Sequence, residues 1–124
     1  MDNYRDLGVS AFRGANALHG AICGALLPHG LVQNRLRVTD PGRALRIAQV
    51  AGWIGQAFGV TADHAPIALA DWSRQAGLPG LGAMGITAAD CELAAVAAQG
   101  ASSMQANPVA LDLADLSAIL TAAM

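Results

Sequence analysis

Lysine is missing from this 124-residue chain, and glutamate occurs once, as Glu92. All seven cationic residues are arginines, spread from Arg5 to Arg74, and the nine acids leave a formal net charge of −2. A nucleic-acid footprint needs a concentrated basic face, so no DNA or RNA partner is expected. Charged residues are 13% and aromatic residues 4% of the chain, against 54% hydrophobic. With so little charge, much of the surface is either Ala, Gly, Ser and Thr or covered by something else. The second fits better, because a lone small domain normally wears more charge, and it points to a piece of a larger protein or to a homo-oligomer.

Cysteine is also scarce. Cys23 and Cys91 form no paired-cysteine metal motif, and without a secretory signal they suggest reduced thiols in a cytoplasmic protein. The opening Met1-Asp2-Asn3-Tyr4-Arg5-Asp6 has no apolar core behind a basic head, so no signal peptide is expected. One uncharged run, Gly14 to Asn34, has about the twenty residues that a membrane span needs. It carries four glycines, Pro28, two histidines, Asn16 and Gln33, which suits burial in protein better than lipid, so no membrane partner is expected.

No stretch reads as a strand and no repeat is visible. The chain is predicted to be all-α, one domain over 1–124 with five or six helices. Residues from about Leu7 to Leu27 read as one or two helices. Pro28 is expected to end that segment, since proline lacks the amide proton and disfavours helix in the residue before it. A short helical segment, Leu31 to Val38, follows. Asp40 caps the next helix with Pro41 at its first position. Leu45, Ile47, Ala48, Val50, Ala51, Ile54 and Phe58 form its apolar stripe, and Gly59 ends it. Asp63 is expected to cap a helix that runs to Ala76 before Gly77, with Trp53 and Trp72 packed between these two helices. The apolar loop Leu78 to Ile86 should lie against the body. Thr87 and Asp90 make a capping pair for a helix to about Gln99. Asp112, with Asp115 near the positive end, starts the last helix, whose buried face is Leu113, Leu116, Ile119, Leu120 and Ala123.

The chemistry-bearing residues cluster early, in His19-Gly-Ala-Ile-Cys23-Gly-Ala-Leu-Leu-Pro28-His29-Gly30. A helix ending at Pro28 would put His19 on the helix and His29 on the following turn. Two neutral imidazoles from different local elements, walled by Ala, Leu and Ile, are what a buried divalent-metal site needs. His64, beside Asp63, reads as an exposed or capping residue.

These parts, taken together with Gly77-Leu78-Pro79, Met84-Gly85-Ile86-Thr87-Ala88-Ala89-Asp90, Asn107-Pro108 and the closing Asp115 to Leu120 helix, succeed one another in a recognisable order. The chain resembles the C-terminal helical domain of the iron-containing (group III) alcohol dehydrogenases, the superfamily that includes maleylacetate reductases and shares a dehydroquinate synthase-like helical domain. The resemblance implies an NAD(P)-dependent oxidoreductase that interconverts alcohols and aldehydes or ketones. A divalent metal, Fe2+ or alternatively Zn2+, would act as a Lewis acid on the substrate oxygen. It implies that His29, inside Pro-His-Gly, is a metal ligand and that His19 lies near nicotinamide and substrate as a catalytic residue. The family's other histidine ligand of this segment falls on Ala15, whose methyl cannot coordinate anything. After Gly30, Gln33-Asn34-Arg35-Leu36 replaces the family's usual continuation. The cofactor-binding half and the earlier metal ligands would precede these residues, so NAD(P) binding is expected only with a partner half, and the chain reads as an incomplete enzyme. Two other readings stand beside it: a non-catalytic helical interaction module derived from that domain, and a separate metal-binding protein using His19, Cys23 and His29.

Overall fold

A computed structural model describes residues 19–124. Among them are five α-helices and no strand, as the sequence predicts: α1 (His19–Arg37), α2 (Pro41–Phe58), α3 (Ala65–Gln75), α4 (Ala88–Gln99) and α5 (Leu113–Ala122). Short 3-10 turns at Ala62–His64, Gly82–Met84 and Ser102–Ala106 fill the connections. The helical residues expected before His19 lie outside the described part.

Helix ends follow the local chemistry closely. Asp40 accepts the Arg43 amide at 2.8 Å and Pro41 opens α2. Gly59 closes α2 in the left-handed region (φ 69°), a conformation that suits glycine because it has no Cβ. Thr87 with Asp90, and Asp112 with Asp115, are reciprocal capping boxes at the starts of α4 and α5. Asp63 is not a cap. The 3-10 turn before α3 has no side-chain cap, and the Asp63 carboxylate instead accepts from Arg35 at 3.0 Å.

Pro28 departs from the expectation. It does not end a helix: α1 runs through it to Arg37, and Pro28 is buried inside. A proline in a helix interior costs about 3 kcal/mol locally, so packing around α1 decides the outcome. Helices α4 and α5 pack together, as do α2 and α3, and α1 packs against members of both pairs. On α1, Ile22 and Leu26 enter a core made with Leu81 and Ile86 of the loop after α3, the alanines of α4, and Leu116, Ile119 and Leu120 of α5. Each large aliphatic buried there contributes about 1.5–3 kcal/mol. Gly24 lets the loop come close to α1, because a Cβ there would lie 2.9 Å from Leu78 Cδ2.

The apolar stripe of α2 also differs from expectation. Ile47, Ala51 and Gly55 are its buried residues, whereas Leu45, Val50 and Trp53 face outward. Trp72 meets Phe58 with ring centroids 5.9 Å apart, but Trp53 is 64% exposed and does not pack between α2 and α3. On α5, Leu113 is partly exposed while the other expected core residues are buried. No helix among the described residues is long and apolar enough to cross a membrane.

Candidate functional site

Continuity of α1 fixes the relation between the two early histidines. They share one helix instead of a helix and a turn. Ten residues at 1.5 Å and 100° each put them about 15 Å apart along the axis and about 80° apart around it. Zinc–imidazole bonds are about 2.0–2.1 Å, so one ion cannot hold both. His19 is exposed at the start of the described part of α1.

His29 is half-buried and lines a cavity of about 210 Å³ between α1, α3 and the loop after α3. Ala25 and Pro28 flank it on α1, with Asp71 and Arg74 across from it on α3. Burial, and secondarily the positive charge of Arg74, push the His29 pKa below its ordinary value. The ring is therefore neutral at pH 7, the form that offers a lone pair to a metal or accepts a proton. Arg74 works against a second cation at the same place.

The other donors do not converge on it. Cys23, one turn beyond His19, lies on a different face of α1 from His29, half-buried, with its thiol pKa raised by burial. His64 sits in the turn before α3, where its Nδ1 pairs with the Thr61 hydroxyl at 3.0 Å. Among the described residues no group of three or more His, Cys, Asp or Glu side chains is placed to hold a metal ion. A stable site needs three or four ligands. The described residues therefore do not fit a metal by themselves, either as the His19–Cys23–His29 set or around His29. Ala15 lies outside the described residues.

Sequence reasoning missed two polar clusters at the other end of α1. Asp115, the N3 residue of α5, accepts from Arg37 Nε at 2.7 Å and from Gln33 Nε2 at 2.9 Å. Beside it, Asn34 and Asn107 pair through their amides, with Asn107 Nδ2 donating to Asn34 Oδ1 at 2.9 Å and to the Val109 carbonyl at 2.7 Å. The only hint in the sequence was a polar run, Gln33-Asn34-Arg35, interrupting an otherwise apolar segment. No protein-family model, curated protein or solved structure matches this chain.

Proposed function

We propose that this chain is the helical part of an NAD(P)-dependent oxidoreductase of the iron-containing alcohol dehydrogenase type, incomplete by itself. The reaction class is hydride transfer between the carbinol carbon of an alcohol and a nicotinamide, giving an aldehyde or ketone and a proton. His29 is one donor of a metal set whose other members, like the dinucleotide site, come from outside residues 19–124. His19 is assigned to the substrate and nicotinamide side. The observation that carries the reading is the half-buried, neutral imidazole of His29 on the wall of an open cavity between two helices. The order of motifs along the chain supports it.

The second reading, a helical interaction module without catalysis, is favoured by large apolar side chains left exposed, among them Leu45, Trp53, Ile67 and Trp72. One experiment separates the two. The purified chain is loaded with Fe2+ or Zn2+, desalted and analysed for metal, then assayed for nicotinamide-linked oxidation of simple alcohols. Where residues 1–18 complete the ligand set, the oxidoreductase reading expects close to one equivalent of metal, lost in His29→Ala. Metal without turnover marks an incomplete enzyme. Neither metal nor turnover would leave the interaction module.

A further inference from the structure

The Asn34–Asn107 pair stands at the meeting of two cavities that the oxidoreductase reading does not use. One, about 490 Å³, is apolar. Cys23, Leu27, Gly30 and Leu31 of α1 form one wall, and Met104 and Leu111 form part of the other. These α1 positions recur at helical spacing on a single face. The second cavity, about 590 Å³, lies beside α2 and is lined by Arg43 and Arg46. Leu31, Asn34 and Asn107 line both, so the two spaces adjoin at the amide pair. Both volumes fall within the roughly 300–1,000 Å³ of small-molecule sites.

The charge pattern is one-sided. Among the described residues no acidic side chain lines either space, although acids outnumber arginines in the chain. Arg43 reaches only the Pro108 carbonyl, at 3.3 Å, and neither arginine has an ion-pair partner among the described residues. At the neck, amide orientation follows from chemistry. The Val109 carbonyl accepts from Asn107 Nδ2, so Asn34 presents its oxygen to that group, and its own Nδ2 reaches Asn107 Oδ1 only at 3.4 Å. One N–H of Asn34 thus remains available as a donor.

We propose that these adjoining cavities bind a single-chain aliphatic carboxylate. The alkyl chain lies in the apolar cavity along α1, the neck passes the Asn34 amide, and the carboxylate faces Arg43 and Arg46. The guanidinium fork suits a planar carboxylate, and a neutral or cationic head gains nothing from two arginines that have no ion-pair partner among the described residues. The site shares Gly24 with the His29 cavity but uses neither His29 nor Arg74, so its test is independent of the oxidoreductase reading.

Cys23 lines the apolar cavity and serves as the probe. In a Cys91→Ala background, its rate of alkylation by N-ethylmaleimide is measured with decanoate, decanol or decyltrimethylammonium, each below its micelle concentration. Decanoate should slow alkylation at least tenfold more effectively, by half-protecting concentration, than the other two, and added salt should weaken it. The double variant Arg43→Ser/Arg46→Ser should abolish the preference for decanoate over decanol. Gly30→Leu should fill the cavity and remove protection. A Cβ at Gly30 meets no atom within 4 Å, and leucine favours helix, so this variant is expected to fold, as circular dichroism would check. Equal protection by decanoate and decanol, or decanoate protection that survives both variants, would overturn the proposal. So would the absence of protection by decanoate in the parent.

Discussion

Asp115 is only 3% exposed yet ionised. Burial alone would raise its pKa, but the Arg37 hydrogen bond, the Asp112 amide and the Arg37 charge outweigh it and hold the pKa below its ordinary value. The unfolded chain therefore binds this proton at higher pH than the folded one does. The stabilisation is present above the unfolded carboxylate value of about 3.9 and is lost as pH falls through the lower folded value. Urea unfolding followed from pH 7 to 3 should show stability dropping in the acid range, and Asp115→Asn should flatten that drop. At pH 7, Asp115→Ala should cost about 2–3 kcal/mol, from half of a capping box together with charge-assisted hydrogen bonds. A cost under about 0.5 kcal/mol would mean that Arg37 and Gln33 find other partners. None of this was legible in the sequence beyond the cap itself: Asp112 and Asp115 are three residues apart, whereas Arg37 is separated from Asp115 by 78 positions. The same applies to the site. His29 could be singled out from Pro-His-Gly, but the cavity around it is made by Asp71 and Arg74 on another helix.

Among the elements, α1 shows where local reasoning gives way. The starts of α2, α4 and α5 and the stops at Gly59 and Gly77 are settled by a few adjacent side chains, and they appear where the sequence places them. Pro28 states a local preference just as clearly and is overruled, because breaking α1 there would withdraw its faces from two helix pairs at once. The balance can be measured. Pro28→Ala restores a backbone donor worth up to about 3 kcal/mol in helix propensity and removes two buried methylenes worth about 1.6 kcal/mol. The variant should be more stable by about 1 kcal/mol in urea; a loss would show that the ring itself clamps α1. Gly55→Ala tests the opposite case. A Cβ there would lie 2.7 Å from the Val60 carbonyl, and the return of the chain is fixed by the Val60 amide on Gly55 O at 2.9 Å. A loss of about 1–3 kcal/mol is expected from such overpacking.

At the scale of the molecule, the low charge count predicted a surface that is covered or weakly polar, and the described residues leave both tryptophans outward, Trp53 at 64% and Trp72 at 54% exposure. In dilute solution, the single-tryptophan variants Trp53→Phe and Trp72→Phe should each show red-shifted emission that acrylamide quenches readily. Emission that is blue and shielded at every concentration would place that face inside an assembly. The order in which α1 meets its partners has a consequence during synthesis. At about 5–20 residues per second, the ribosome needs roughly 4–16 s to pass from Arg37 to Asp115. For the later part of that interval Ile22 and Leu26 are outside the exit tunnel with their core still lacking Leu116, Ile119 and Leu120, so a nascent chain of this protein is most open to chaperone capture, or to sticking to its neighbours on a polysome, before α5 emerges.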